Sequence, residues 1–171
     1  MEQLKELIRS IPDFPKKGIL FRDITTLLQN GPQFHRAIDT LAEHYEGKKI
    51  DQIVAVESRG FIVAAPLAYK LNVGLIPVRK KGKLPYKTVE TTYELEYGTD
   101  TLQMHADAFQ PDANILIVDD LLATGGTAKA TIDLVEKLKG KIMGICFLIE
   151  LTDLKGIEKL KGYKVLSIIK Y

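Results

Sequence analysis

Two neighbouring carboxylates and a run of small residues follow the strongest apolar run of the chain. Residues 115–118 are all apolar, Asp119 and Asp120 come next, and a loop of small residues comes after them: Ala123, Thr124, Gly125, Gly126 and Thr127. The backbone N–H groups and hydroxyls of such a loop can bind an anion, and a following helix adds the positive end of its dipole. The two glycines allow a close backbone approach and a positive φ. This segment predicts a phosphate site.

The kind of phosphate follows from what the loop lacks. It contains no lysine, so it does not have the Walker pattern, and the Gly-x-Gly-x-x-Gly dinucleotide fingerprint is absent from the chain. A monophosphate is favoured, with Asp119 and Asp120 accepting hydrogen bonds from the hydroxyls of an attached sugar. The alternative is a helix cap with two exposed acids, but a cap needs no paired acids behind a buried strand.

A second anion-binding corner is predicted after the apolar run Ile53–Val56. The residues that follow this run are Glu57, Ser58, Arg59 and Gly60, at the start of a predicted helix. The planar guanidinium of Arg59 can bind a diphosphate through two parallel hydrogen bonds. A surface salt bridge is the alternative role for this arginine.

The positive charge of the chain is concentrated in one stretch. The chain has 24 Lys and Arg against 22 Asp and Glu, and five of the basic residues fall within residues 79–87, which contain no acid: Arg79, Lys80, Lys81, Lys83 and Lys87. A single basic patch suits a small anionic ligand better than a nucleic-acid duplex, which needs a longer basic footprint. We therefore expect no nucleic-acid partner. A solvated, lysine-rich loop is the alternative.

These groups must be positioned by strands and helices that alternate along the chain. Short apolar runs at residues 53–56, 75–78, 115–118, 143–149 and 164–169 predict strands, and helical periodicity covers residues 34–45, 60–71 and 128–138. The alternation predicts an α/β domain with a mostly parallel sheet. Ligands of such sheets bind at the carboxyl ends of strands, where both predicted anion sites lie.

Four features depart from this regular pattern. Leu4, Leu7, Ile8 and Ile11 have helical spacing, so we expect a helix that Pro12 stops. Pro66 predicts a kink or late start in the helix over 60–71. Pro77 predicts an irregular or edge position for its strand. Residues 89–97 alternate with strand period between two regular units, which predicts a hairpin lid.

Length and composition exclude several classes of protein. The 171 residues, 46% of them apolar, suit a single soluble domain without a membrane span. The acidic N-terminus lacks a secretory apolar region, so we expect a cytoplasmic protein. The one cysteine, Cys146, lies in an apolar run and is expected to be buried and unreactive. The three histidines show no metal-binding spacing, so no metal site built from protein side chains is expected.

The segment 115–127 resembles the phosphoribosyl diphosphate signature of the type I phosphoribosyltransferases. Three further segments resemble parts of the family members that act on adenine: residues 57–61 their diphosphate loop, residues 20–24 their base-recognition segment, and residues 79–85 with 96–98 their flexible loop. The resemblance implies a mostly parallel central sheet flanked by helices, an N-terminal hood over about residues 1–30 and a mobile lid over about residues 79–103. It also implies a cis Glu57–Ser58 peptide and a homodimer.

The resemblance implies a role for each segment in making AMP and diphosphate from adenine and 5-phosphoribosyl 1-diphosphate. The loop 123–127 would hold the 5-phosphate, and Asp119 and Asp120 the ribose. The diphosphate would be bound by Glu57, Ser58, Arg59, Arg79, Lys80 and Lys83, with Arg59 and Lys83 acting in catalysis. Phe21, otherwise a core candidate, would stack on adenine next to Arg22.

Two further groups complete the implied chemistry. Glu96, on the lid, would be the acid beside the purine ring. Mg²⁺ would be bound mainly through the diphosphate, the ribose hydroxyls and water.

Two other functions stay open at this stage. A sister transferase for another base is disfavoured because relatives that act on hypoxanthine carry Asp where Ala123 stands. A regulator that binds the sugar diphosphate without turnover would use the same fold, but such proteins add a DNA-binding domain or a basic RNA-binding face. An assay for nucleotide formation separates the three.

Overall fold

A computed structural model describes residues 2–94 and 98–171 of the chain. Within them, seven strands form one sheet in the order β5-β6-β4-β3-β7-β8-β9. The strands of this sheet are β3 (Gln52–Val56), β4 (Gly74–Lys80), β5 (Thr88–Glu94), β6 (Thr99–His105), β7 (Asn114–Leu122), β8 (Lys141–Glu150) and β9 (Val165–Lys170). Strands β4, β3, β7, β8 and β9 are parallel, and β5 and β6 are antiparallel additions at one edge. The predicted α/β class is confirmed.

Helices cover both faces of the parallel part of the sheet. They span Glu2–Glu6 (α1), Thr25–Gln29 (α2), Gly31–Glu43 (α3), Arg59–Leu71 (α4) and Gly126–Lys137 (α5). The helical stripe predicted from residue 34 onward forms α3, whose buried face includes Ile38 and Leu41. In the part of the chain that the structure describes, no helix is long and apolar enough to cross a bilayer.

The middle parts of the central strands, residues 53–56 and 115–118, are entirely apolar because each face of these strands meets a different hydrophobic core. In β3, Ile53 and Ala55 belong to the core under α3 and α4, whereas Val54 belongs to the core under α5. In β7, Leu116 and Ile117 divide between the two cores in the same way. Burial on both faces explains why these strands lack a polar side. It also holds their carboxyl ends, which carry the functional loops, in fixed positions.

The N-terminal residues form a separate two-stranded sheet, and the predicted first helix is only partly present. Helix α1 ends at Glu6, and Arg9–Pro12 (β1) pairs antiparallel with Leu20–Asp23 (β2). The prediction of a helix up to Pro12 is therefore wrong for the second half of that segment. Pairing with β2 overrides a local periodicity that covers barely two turns, while Leu4 and Ile8 are still buried.

The predicted hairpin extends the main sheet and packs against α5. Its strands β5 and β6 are antiparallel, and β6 reaches β4 only at the pairs Arg79–Gln103 and Lys80–Leu102. Val89 and Tyr93 pack against the core under α5, and the Lys137 ammonium donates a hydrogen bond to Thr91 Oγ1 (2.9 Å). Much of β5 is thus fixed to the body of the protein. Residues 95–97, which include Glu96, lie outside the described residues.

The fold accommodates Pro66 and Pro77, the two prolines that interrupt predicted elements. Helix α4 begins at Arg59 and includes Pro66, so the alternative of a late start is wrong. Pro77 lies in β4 opposite Ala55, and the registered contacts with β6 begin beyond it, at Arg79. β4 lies between β6 and β3, so an edge position is wrong for the strand as a whole. The part of β4 that contains Pro77 has no registered pair with β6, however, so the missing N–H costs no ladder bond on that side.

Candidate active site

A cavity of about 460 Å³ lies at the carboxyl ends of β3 and β7. Its walls are formed by Phe21 of the N-terminal sheet, residues 56–59 at the end of β3, residues 119–128 from the last part of β7 to the start of α5, and Phe147 of β8. Both predicted anion-binding corners and the predicted aromatic platform thus face one space. Ligands of open α/β sheets bind in this position.

The loop Ala123–Thr127 owes its shape to a backbone contact that the sequence did not reveal. Gly125 has φ of +79°, and a Cβ there would lie 2.5 Å from the carbonyl oxygen of Gly156. A Cβ on Gly156, at the start of the 3₁₀ segment Gly156–Leu160, would overlap the carbonyl oxygen of Ala123. Glycine is therefore needed at both positions, because two backbones touch there. Local periodicity carried no signal for Gly156.

Gly126 faces the hairpin as well as the cavity. A Cβ on Gly126 would lie 3.4 Å from Cδ2 of Tyr93. The Thr127 hydroxyl lies 3.5 Å from the Tyr93 hydroxyl. The phosphate loop thus contacts β5 directly.

Asp119 and Asp120 place two carboxyl groups at the end of β7. Asp119 Oδ1 accepts a hydrogen bond from the Asp120 amide (2.9 Å), and a Cβ on Gly60 would lie 2.5 Å from this oxygen. Burial, and then repulsion from Asp120, raise the pKa of Asp119 well above its usual range. Burial also raises the pKa of Asp120, although Arg59 opposes this shift. Two acidic side chains are thus crowded together in a buried position.

Arg59 joins the acidic pair to the aromatic platform. Its Nε lies 2.9 Å from Oδ2 of Asp120, whose side chain is only 8% exposed. Oδ2 nevertheless has no aligned hydrogen-bond donor within the described residues. The Arg59 guanidinium also lies 5.0 Å from the centre of the Phe21 ring, and Phe14 packs edge-on against this ring at 5.1 Å. Arg59 therefore forms an ion pair, but its partner is a carboxylate that lines the cavity rather than one on the outer surface.

Glu57 links the diphosphate corner to the base of the hairpin. Its Oε1 accepts a hydrogen bond from the Lys80 amide (2.6 Å), and its Oε2 lies 3.0 Å from Lys83 Nζ and 3.4 Å from Arg79 Nη2. Burial opposes the charge, but the Lys80 amide and the two cations outweigh it and lower the pKa of Glu57. The Glu57–Ser58 peptide is cis, as the resemblance implies.

Several predicted site residues lie outside the walls of the cavity. Arg79 and Lys83 reach it only through Glu57, and the Lys80 ammonium pairs with Asp100 (3.0 Å). The Arg22 guanidinium stacks on the Tyr171 ring, 3.7 Å from its centre, and donates a hydrogen bond to Ser10. The side chain of Arg22 therefore supports the N-terminal sheet.

Comparisons with known proteins agree with this geometry. The family model described as phosphoribosyl transferase domain matches residues 25–170. The adenine phosphoribosyltransferase of Brachyspira hyodysenteriae is 60% identical over 169 residues, which cover 99% of each chain. The adenine phosphoribosyltransferase of Thermoanaerobacter pseudethanolicus has a crystal structure that matches with a TM-score of 0.97 and 55% identity, over 99% of each chain.

A further match is to a ligand-bound structure. The Saccharomyces cerevisiae adenine phosphoribosyltransferase, solved with adenine and an imino-altritol bisphosphate, matches with a TM-score of 0.92 and 42% identity. The match covers 97% of the present chain and 96% of the yeast chain. Identity at this level over the full length shows that the chain belongs to the adenine phosphoribosyltransferase family.

Proposed function

We propose that this chain converts adenine and 5-phospho-α-D-ribose 1-diphosphate to AMP and diphosphate, a purine salvage reaction. The observation that carries the proposal is that one cavity joins the loop 123–127, the carboxyl groups of Asp119 and Asp120, residues 57–59 and the Phe21 ring. The cavity thus has two predicted anion-binding sites, which suits a substrate with a phosphate at one end and a diphosphate at the other. The family to which the chain belongs supports the same reaction.

The residues of the cavity divide the work of binding. The amides and hydroxyls of Ala123–Thr127, at the N-terminus of α5, hold the 5-phosphate. The carboxylates of Asp119 and Asp120 accept hydrogen bonds from the ribose hydroxyls; Oδ2 of Asp120, which pairs with Arg59 Nε at 2.9 Å without an aligned hydrogen bond, can accept one of them. Ser58 and Arg59 bind the diphosphate, and the Phe21 ring stacks on adenine.

In the reaction, adenine attacks the anomeric carbon through one imidazole-ring nitrogen as the bond from that carbon to the diphosphate oxygen breaks. The diphosphate leaves with the bonding electrons, and positive charge develops on the sugar and the base. The proton that adenine carries on its imidazole ring must leave as AMP forms. A carboxyl group beside the second ring nitrogen would stabilise the positive charge and accept this proton, and we assign that role to Glu96. Closure of the lid would exclude water from the activated sugar.

Adenine specificity is proposed to come from backbone groups near Leu20–Arg22. Adenine presents an amino donor next to a ring acceptor, and hypoxanthine reverses this pattern. A site built for one pattern leaves buried groups unpaired with the other, at a cost of about 10⁴-fold or more. Ala123 supplies no carboxylate for the alternative base.

The donor set of the cavity fits Mg²⁺ carried by the substrate. The described residues contain no cluster of three or more His, Cys, Asp or Glu side chains that could hold a metal ion. The ion would therefore take most of its oxygens from diphosphate, ribose hydroxyls and water, with Asp119 and Asp120 acting through the ribose. When bound, Mg²⁺ supplies positive charge to the leaving diphosphate.

We further propose that the chain acts as a homodimer in the cytoplasm. The homodimer is what the family resemblance implies, and light scattering of the purified chain tests it. The single cysteine, Cys146, is buried and free, in keeping with a reducing compartment.

The central experiment is to incubate the purified chain with the sugar diphosphate, Mg²⁺ and adenine, hypoxanthine or guanine in turn, and to separate the nucleotides formed. AMP from adenine alone is the expected result. Comparable kcat/KM for hypoxanthine would favour the sister transferase. Tight sugar-diphosphate binding without any nucleotide would favour the regulator.

A further inference from the structure

Glu57 occupies an unusual place for a residue of a diphosphate-binding corner, because its own charge repels diphosphate. Its side chain is only 9% exposed, and its backbone N–H donates a hydrogen bond to the Val78 carbonyl of β4 (2.9 Å). Both carboxylate oxygens are occupied by donors from the segment 79–83. These contacts hold the Glu57 carboxylate in one position between the cavity and the base of the hairpin.

The cations that pair with Glu57 are the more exposed partners of this cluster. The side chains of Arg79 and Lys83 are 36% and 49% exposed, and each is long enough to adopt many rotamers. Arg79 Nη1 also donates a hydrogen bond to the backbone carbonyl of Lys83 (3.3 Å), so the guanidinium contacts the backbone of the segment that carries the second cation. Arg79 Nε is buried without a hydrogen-bond partner within the described residues, so this arginine retains an unused donor.

We propose that Glu57 is a positioning residue that holds Arg79 and Lys83 at the diphosphate corner, rather than a ligand of the substrate. Ordering two long side chains before the ligand arrives removes an entropic cost from binding, which raises affinity without any new contact. The inference rests on the proposed function, since diphosphate is taken as the group bound there. It reassigns Glu57, which the resemblance had placed among the substrate-binding residues.

A cycle of variants separates positioning from direct electrostatics, with inorganic diphosphate and Mg²⁺ as the probe in calorimetry. In the wild-type background, Glu57→Gln keeps an acceptor for the Lys80 amide but removes the charge, and we expect diphosphate binding to weaken about tenfold. In a background that carries Arg79→Gln and Lys83→Met, the same change should have no effect or should tighten binding. Glu57 then has no cations to position and only repels the ligand.

Tighter or unchanged binding in the wild-type background would overturn the proposal, and so would equal weakening in both backgrounds. Glu90→Gln is the matched control: this glutamate pairs with Lys81 (3.3 Å) on the same hairpin and is not part of the cavity, so diphosphate affinity should not change. If Glu57→Gln does not fold, Glu57→Asp takes its place in the cycle, with the same two outcomes deciding. The readout needs no turnover, so failure of the transferase assay remains distinguishable.

Discussion

The two regions proposed to bind anions are built in opposite ways. In the loop Ala123–Thr127 after β7, called the cradle below, a close backbone contact between Gly125 and Gly156 fixes the chain, and two carboxylates lie beside it. In the corner after β3, the buried carboxylate of Glu57 pairs with two long cationic side chains. A backbone contact thus orders one region, and ion pairs order the other.

The difference follows from what each region has to do. The 5-phosphate stays bound throughout the reaction. A loop that is already ordered can bind it without losing conformational entropy in each catalytic cycle. The diphosphate must be bound and then released as a product. Long cationic side chains suit this task because they can exchange one ion-pair partner for another. Residues tied to backbone contacts should therefore tolerate little change, whereas residues of the hairpin should show graded effects.

The largest effect is expected at the backbone contact of the cradle. Gly125→Ala adds a Cβ at φ +79°, 2.5 Å from the Gly156 carbonyl oxygen. We expect the free energy of unfolding to fall by about 2–5 kcal/mol and AMP affinity to fall by about 10²-fold, because the loop must shift. Chemical denaturation and calorimetry measure the two quantities. Gly31→Ala, where a Cβ meets nothing within 4 Å, is the control; an equal loss there would remove the contact as the cause.

On the hairpin, Glu96→Gln should lower kcat by about 10²-fold, the usual worth of a positioned acid. Sugar-diphosphate binding should be retained, because this side chain is assigned to the base. Single-turnover kinetics exclude product release from the measured rate. A single-turnover rate close to that of the wild type, and equal to that of Glu90→Gln, would contradict the assignment. Charge stabilisation at the diphosphate would then be the main source of catalysis.

The carboxylates of the cradle should reduce stability at neutral pH. Because the pKa of Asp119 is raised in the folded protein, stability falls as the pH rises from about 4 through that raised pKa. We expect Asp119→Asn to increase the free energy of unfolding at pH 7.5 by about 0.5–2 kcal/mol while weakening AMP binding. The stability gain should vanish below about pH 4. A variant less stable than wild type at pH 7.5 would contradict this expectation.

The corner after β3 should show the opposite dependence on pH. The pKa of Glu57 is lowered in the folded protein, so its contribution stabilises the fold above about pH 4 and is lost as the pH falls through the lowered pKa. Glu57→Gln should therefore destabilise the protein at pH 7.5 and approach wild type in acid. Denaturation series at several pH values measure both slopes, and slopes of the same sign would remove the contrast between the regions.

The smallest effect is expected where the hairpin touches the cradle. Tyr93→Phe removes a hydroxyl that lies 3.5 Å from the Thr127 hydroxyl, too far for a strong hydrogen bond. We expect AMP affinity to change by less than about threefold, since the ring that packs near Gly126 is retained. A tenfold loss would show that the hydroxyl, rather than the ring, joins the hairpin to the cradle.

Much of the fold and the cradle could be predicted because their signals are local. Strands buried on both faces require continuous apolar runs, and residues 53–56 and 115–118 supply them. A loop of small residues that follows such a strand and a pair of acids predicts an anion-binding site. The first helix could not be predicted as well, because Arg9–Pro12 pairs with a strand that lies eight residues further along the chain.

The α/β class, the cavity at the carboxyl ends of the strands and the residue types that line it could all be read from the order of residues along the chain. Which groups hold those residues in place depends on contacts between distant segments. Glu57 meets Arg79 and Lys83 across more than 20 positions of the chain, and Gly156 meets the loop at Gly125 from the far side of β8. Backbone conformation follows from neighbouring residues, whereas a contact between distant segments exists only once the sheet has brought them together.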